Sequence, residues 1–502
     1  MLDALGSDKR FIACCAPCGT GKSATSLVIA NADESRTVYL TSTHALQSQL
    51  MRDFESIGLV SVEGQSNYQC IDPDAPDLAC QCDECPCHHG LANLYPYHTC
   101  GYRRAVEIAK RSRLIVTNYA FWITQNIYGE GIGKVDLLVC DECHDAEKLI
   151  SSQLTIELIQ QDLLEVLGRG LSDASFTHEA WAAWGDWTKK CLTDTIKELT
   201  DEAERLQKNH YKIPQTLNER LVKHKRLLKK IGNLSEITPD EWVIEHFGEG
   251  VRFSPINPAR FTERYLFAGV PKILLMSATI RKKTMRLLGI GKDKLDFFDY
   301  ESPFPVERRP IYVIPGMRMN YKVTDDQLRI WMTKIDQIIR KWMYFGKGII
   351  HTVSYGRARF ILEHSAFKKY MLYHDSRTTR TKVDEFKRAR APRILVSPSV
   401  STGYDFPDTD AVFQIITKIP FPDSRSAVIQ AKRKIDRDYD TYAAIQTLSQ
   451  MSGRIVRSET DQGATFVVDD NIKRLLYRYR AQFPKWFLDA VKYVDAIPDP
   501  PC

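Results

Sequence analysis

The chain has 502 residues, room for three or four domains of ordinary size. Apolar residues make up 43% and charged residues 26%. This balance excludes a disordered, collagen-like or membrane-spanning chain, and with no signal pattern at the N-terminus it predicts a cytoplasmic protein. Lys and Arg (69) exceed Asp and Glu (63) by a formal +6, too little to announce a nucleic-acid partner, so any such surface must be a local patch.

The first element, Phe11-Ile12-Ala13-Cys14-Cys15, is an apolar run that reads as a buried strand. Ala16-Pro17-Cys18-Gly19-Thr20-Gly21-Lys22-Ser23 follows, and Ser26-Leu27-Val28-Ile29 opens a helix. Strand, glycine loop and helix in that order are the setting of a phosphate-binding loop. Gly19, Thr20 and Gly21 form the cradle, where the glycines let backbone N–H groups converge on phosphate oxygens. Lys22 supplies a positive charge, Ser23 offers a hydroxyl to Mg²⁺, and the helix N-terminus adds its dipole. Ala16 stands where the usual pattern begins with Gly.

Six of the 13 cysteines, Cys70, Cys80, Cys82, Cys85, Cys87 and Cys100, fall within residues 70–100. Without a secretion signal, a metal or cluster site is a better reading than a disulfide framework. Four thiolates can hold a [4Fe–4S] cluster or tetrahedral zinc. Cys82 and Cys85 are the compact inner pair; Cys80 with Cys85 or Cys82 with Cys87 are alternates, and His88, His89 and His98 widen the zinc option. Cys14, Cys15, Cys18, Cys140 and Cys143 read as small packing residues.

Val135-Asp136-Leu137-Leu138-Val139-Cys140 is a second buried-strand pattern, ending in Asp141-Glu142-Cys143-His144. A carboxylate at a strand end can hold Mg²⁺, here Asp141 together with Ser23. A second, Glu142, can orient and polarise an attacking water. From 152 to 254 no pattern of phosphate chemistry occurs. Leu192, Ile196, Leu199, Ala203 and Leu206 recur at helical spacing, Lys212-Ile213-Pro214 interrupts them, and Leu217, Leu221, Leu228 and Ile231 form a second stripe. Two antiparallel helices are expected. Within 220–230 the basic residues include Lys223, Arg226 and Lys230, either phosphate contacts or a solvated face. Trp181, Trp184 and Trp187 read as a buried stripe in preference to a base-stacking platform. In Gln450-Met451-Ser452-Gly453-Arg454-Ile455-Val456-Arg457 two arginines lie three apart, suited to charge developing on a transferred phosphoryl group.

These pieces together resemble superfamily 2 helicases, with their DExH box and QxxGRxxR motif. The segments Tyr39–Gln49, Leu275–Thr279 with its Ser277-Ala278-Thr279, Gly348–Tyr355, and Ile394–Ser397 leading to Ser401-Thr402-Gly403-Tyr404-Asp405-Phe406-Pro407 resemble further motifs of that family. Gly64-Gln65-Ser66-Asn67-Tyr68-Gln69-Cys70, Cys100-Gly101-Tyr102, Ser302-Pro303-Phe304 and Lys418-Ile419-Pro420-Phe421-Pro422 look like landmarks of the XPD/DinG branch, as does the order of all these segments from about residue 11 to 475. Only ten residues precede the first strand, so the upstream glutamine element that reads adenine in many relatives is expected to be absent, which leaves nucleotide selectivity open.

The resemblance implies an α/β fold of two RecA-like parallel-sheet ATPase domains. A small metal-cluster insertion and a helical arch insertion would both lie in the first. The expected divisions are 1–64, 104–151 and 255–300 for the first domain, 65–103 for the cysteine-rich insertion, 152–254 for the arch and 301–502 for the second domain. The resemblance further implies catalytic roles for Lys22, Asp141, Glu142, His144, Gln450, Arg454 and Arg457, nucleotide contacts at Gly403 and Asp405, nucleic-acid contacts at Thr43 and Thr402, and outer cluster ligands at Cys70 and Cys100. The implied activity is ATP- and Mg²⁺-dependent movement 5′→3′ on single-stranded DNA with unwinding of forked or tailed duplexes. RNA is an alternative substrate. A translocase that displaces proteins or RNA, or an ATP-switched binding module, are alternative functions. A compact bacterial or phage-encoded monomer with no membrane partner is expected.

Overall fold

A computed structural model describes residues 6–501 except 33, 69–99, 130, 172–176, 210, 212, 321, 401–403, 405 and 407. The first domain is built on a parallel seven-stranded sheet of order β10-β1-β9-β5-β2-β4-β3. Its strands are β1 (Phe11–Cys15), β2 (Thr37–Thr41), β3 (Leu59–Ser61), β4 (Leu114–Asn118), β5 (Leu137–Cys140), β9 (Lys272–Ser277) and β10 (Leu295–Asp299). Every residue of β1, β2, β4 and β5 is buried, which is why these strands read as continuous apolar runs rather than alternating ones. The helices are α1 (Lys22–Ala32), α2 (His44–Phe54), α3 (Gly101–Arg111), α4 (Tyr119–Tyr128) and α5 (Ala146–Leu154), with α9 (Lys282–Leu287) after β9. In β1, Ala13 lies opposite Leu275 of β9 and Phe297 of β10. The carboxyl ends of β1, β5 and β9 therefore bring residues 16–23, 141–144 and 277–279 to one rim, the ordinary location of a ligand site in such sheets.

Two excursions leave this sheet. The first runs from β3 to α3, and its ends are held together by an edge-to-face contact of Tyr68 with Tyr102, ring centroids 5.7 Å apart. The second follows α5. It holds the expected helical hairpin, α7 (His178–Lys208) and α8 (Gln215–Lys230), preceded by α6 (Gln160–Leu167). Leu199, Ala203, Leu217 and Leu221 form a small core of their own between α7 and α8. It is not helical throughout: β6 (Ile156–Ile159), β7 (Trp242–Phe247) and β8 (Gly250–Pro255) make an antiparallel sheet of order β6-β8-β7. The two residues between β7 and β8 include Gly248 at φ +47°, the left-handed geometry a tight hairpin demands. Trp181 packs edge-on against Phe253 at 5.2 Å, so the foot of the hairpin joins the core of the first domain.

The second domain is a parallel seven-stranded sheet of order β13-β14-β12-β15-β16-β11-β17. It comprises β11 (Ile311–Met317), β12 (Gly348–His351), β13 (Met371–Tyr373), β14 (Ile394–Ser397), β15 (Phe413–Ile416), β16 (Ala464–Asp469) and β17 (Val491–Tyr493). Around it lie α10 (Asp325–Trp342), α11 (Tyr355–His364), α12 (Thr379–Arg388), α13 (Ala427–Ile435), α14 (Tyr439–Ser452), α15 (Asn471–Arg478) and α16 (Lys485–Ala490). Among the described residues no helix is long and apolar enough to cross a membrane.

Candidate nucleotide site between two sheets

The loop after β1 is shaped by Gly19 at φ +76° and Gly21 at φ +71°. A Cβ on Gly19 would stand 1.9 Å from the carbonyl oxygen of Arg457, so no other residue fits where the second domain presses on this loop. Lys22 Nζ donates to the carbonyls of Ala16 (3.1 Å) and Pro17 (2.8 Å), and Thr20 Oγ1 donates to Pro17 O at 2.9 Å. The ammonium is thus hydrogen-bonded over the loop to two neutral carbonyls, a placement from which it can turn to an anion.

Across the loop, Asp141 Oδ2 accepts from Tyr39 Oη at 2.9 Å and from Ser23 Oγ at 3.4 Å. The two residues expected to hold Mg²⁺ are thus neighbours. A buried carboxylate oxygen beside a hydroxyl is the hard donor set that ion favours. Burial, then the charge of Glu142, holds the Asp141 carboxyl above the ordinary carboxylate range, with Lys22 and the Tyr39 phenol pulling the other way. A bound cation would reverse that penalty.

Glu142 sits at φ +48°, ψ +39°, a strained conformation for a residue with a side chain. Its Oε2 accepts from Ser277 Oγ at 3.2 Å and lies 3.2 Å from His144 Nδ1. His144 Nδ1 is also 2.8 Å from Ser277 Oγ, and its Nε2 is 3.0 Å from Asp145 Oδ2. Burial opposes protonation of His144, but the charges of Asp145 and Glu142 outweigh it and raise the imidazole to about 9. Burial likewise opposes ionisation of Glu142. The His144 hydrogen bond and charge, with Lys22 and Arg454, outweigh it and keep Glu142 ionised. The adjacent carboxyls are therefore driven apart in proton affinity by different partners.

From the second domain, the amide of Gln450 abuts His144 Nε2 and reaches Thr279 Oγ1 at 3.4 Å. Arg454 Nη1 donates to Tyr404 O at 3.0 Å, and Arg457 N donates to Asp461 Oδ2 at 2.7 Å. A cavity of about 310 Å³ opens between Gly19, Lys22, Asp141, Glu142 and Arg457, walled by one face of α2. Lys22, Ser23, Asp141, Glu142, His144, Gln450, Arg454 and Arg457 thus converge across the cleft.

The remaining candidates lie elsewhere. Thr43 caps α2, its Oγ1 accepting from Leu46 N at 3.3 Å. Lys223 and Lys230 face α6, paired with Glu165 (2.5 Å) and Asp162 (3.3 Å), and Arg226 lines the same cleft. Cys100 is buried just before α3. Cys70, Cys80, Cys82, Cys85, Cys87, Thr402, Gly403 and Asp405 lie outside the described residues. Among the described residues no group of three or more His, Cys, Asp or Glu could hold a metal ion. Cys14, Cys15, Cys140 and Cys143 are buried free thiols; burial raises Cys14 to about 11 and Cys15 to about 12, as inert packing residues require. Asp145 belongs to the site although no motif singled it out; Tyr39 and Ser277 stand in segments that resemble helicase motifs, but the sequence assigned neither a role in the site.

Residues 347–490 match the model of the helicase C-terminal domain. The probable ATP-dependent helicase MJ0942 of Methanocaldococcus jannaschii is 21% identical over 92% of this chain and 89% of its own length. The Fanconi anemia group J protein homolog of Gallus gallus is 30% identical over 22% of this chain and 10% of its own length. A solved XPD helicase superposes with a TM-score of 0.65 at 13% identity, covering 98% of this chain and 97% of that one. The second domain thus carries a helicase C-terminal domain, and the chain as a whole has the two-sheet fold of the XPD helicase structures.

Proposed function

We propose that this ATP-dependent helicase moves 5′→3′ along single-stranded DNA and parts forked or tailed duplexes, acting as a cytoplasmic monomer. The carrying observation is the relay Glu142–His144–Gln450, in which the catalytic carboxylate of one domain is held by a histidine that touches a helix of the other domain. A site assembled from two domains works only when they close, so hydrolysis and domain movement are coupled. Lys22 and the backbone of the loop receive the phosphates. Glu142, kept ionised, orients the attacking water. Arg454 and Arg457 meet the charge that develops on the transferred group. Ser23 and Asp141 would hold Mg²⁺, which supplies further neutralisation of the β- and γ-phosphate oxygens.

For the strand itself, a cavity of about 810 Å³ lies between α3, α4 and the α7–α8 hairpin, with Asn67, Tyr102, Arg103, Lys225 and Lys229 among its walls. Its cations and aromatic ring suit a nucleic-acid backbone and its bases. Direction and DNA preference rest on the resemblance to the XPD/DinG branch. Cys70 and Cys100 with Cys82 and Cys85, or with Cys80 or Cys87 in the inner positions, would hold a [4Fe–4S] cluster, with zinc as the competing occupant. Lys22→Ala or Glu142→Gln should abolish nucleic-acid-stimulated ATPase in a folded protein; normal turnover in either sinks the assignment. Strand displacement on 5′- and 3′-tailed duplexes tests direction, and ATPase without displacement would favour a translocase. Iron and zinc analysis of anaerobically purified protein decides the metal.

A further inference from the structure

Three consecutive residues at the carboxyl end of β9 are each gripped by a different partner. Ser277 Oγ reaches Glu142 and His144, and Thr279 Oγ1 receives the Gln450 amide. Between them, the carbonyl of Ala278 accepts the indole N–H of Trp486 at 2.8 Å. Trp486 belongs to α16 of the second domain, beyond the helicase motifs, and is 5% exposed. Its ring covers Gly453 of the QxxGRxxR segment: a Cβ built there would lie 3.5 Å from the ring and 3.6 Å from Cys18 Sγ of the phosphate loop. The backbone around Trp486 is fixed in turn by Arg309, whose guanidinium donates to the Trp486 carbonyl and, through Nε, to Phe304 O at 3.0 Å.

A buried indole N–H is most stable with an acceptor. This one finds it on the other domain, on the residue between the two that contact the catalytic carboxylate and Gln450. Separating the domains takes this acceptor away and leaves the N–H to water, and closing them restores the bond to Ala278. We infer that Trp486 is a positioning residue for ATP hydrolysis: its hydrogen bond to Ala278 sets the 277–279 loop, and with it Ser277 against Glu142, when the cleft closes. The role rests on the ATPase reading above, but it uses a residue outside every motif of that reading. It differs from simple packing because the N–H, and not only the ring, is required.

The test compares full-length wild type, Trp486→Phe and Lys22→Ala with saturating oligo-dT. Trp486→Phe keeps most of the ring and loses the donor; kcat should fall about five- to tenfold with KM for ATP held within about twofold. The difference in tryptophan emission between wild type and Trp486→Phe should also change when a non-hydrolysable ATP analogue and oligo-dT are added. An unchanged kcat, an effect confined to KM, or a loss of kcat matched by a lowered melting temperature and abolished on cooling would overturn the positioning role. ATPase surviving Lys22→Ala would instead sink the ATPase reading and this inference with it. Loss in Lys22→Ala with full kcat in Trp486→Phe would sink the positioning role alone.

Discussion

The phenol of Tyr39, completely buried, donates to the same Asp141 oxygen that Ser23 reaches. It is an uncharged hand on the carboxylate proposed to meet Mg²⁺. Tyr39→Phe preserves the packing and removes that hand. Hydrogen bonds to charged groups contribute about 1.5–3 kcal/mol, so kcat is expected to fall by about tenfold or more. The Mg²⁺ concentration for half-maximal rate should rise, as a magnesium titration at saturating ATP would show. An unaltered titration curve would mean that Ser23 and the backbone suffice.

Glu147 of α5 and Lys432 of α13 form an ion pair between the domains with both side chains 7% exposed, and Tyr439 Oη donates to Glu147 Oε2 at 2.9 Å. Nearby, Lys283 meets Asp436 at 2.8 Å. Glu147→Ala leaves a buried ammonium without its carboxylate, a change that costs about 3–5 kcal/mol. Calorimetry should show a lower or split transition as the domains part. Replacing the pair together, Glu147→Leu with Lys432→Met, should recover most of the loss.

His351, buried at the end of β12, is held neutral: burial lowers its pKa to about 4, against the opposing hydrogen bond with Gln414 and with help from the Arg454 charge. In the unfolded chain it titrates near 6.5. Between those values the unfolded state binds more protons, so stability rises with pH across that window and is lost on acidification. His351→Gln should flatten the dependence of the melting temperature on pH from about 4 to 6.5, removing at most about 3 kcal/mol of it. A variant with the wild-type slope would place the acid sensitivity elsewhere.

Leu221 is fully buried in the small cluster between α7 and α8. Leu221→Ala should loosen this hairpin by about 2–4 kcal/mol without touching the nucleotide cleft. Hydrogen exchange should quicken in residues 195–225 while Lys22-dependent ATPase persists.

The phosphate loop and the DExH strand were legible because a doubly covered parallel strand is an unbroken apolar run, and the residues that follow it are contiguous. Tyr39 was not, since its meeting with Asp141 depends on the pairing of β2 with β5. The antiparallel sheet of the second excursion stayed hidden because β6 is parted from β7 and β8 by three helices. The tryptophan repeat was half right. A three-residue spacing drifts around a helix of 3.6 residues per turn. Trp181 is accordingly buried, while Trp187 is 48% exposed beneath the Arg169 guanidinium at 5.6 Å. The basic run of α8 was visible, but not Asp162 and Glu165 on α6, which sit opposite it.

β1 has β9 on one side and β10 on the other. The strand that carries the phosphate loop is synthesised long before either of its neighbours, which both lie within residues 272–299. A growing chain must carry this apolar strand with two open edges until that stretch has emerged, a long wait in a slow-forming parallel topology. The second sheet, drawn entirely from residues 311–493, has no such debt. Fragments ending before Lys272 should aggregate through β1, whereas residues 301–502 are expected to stay soluble and fold when expressed alone. Birth order and assembly order in this chain run in opposite directions.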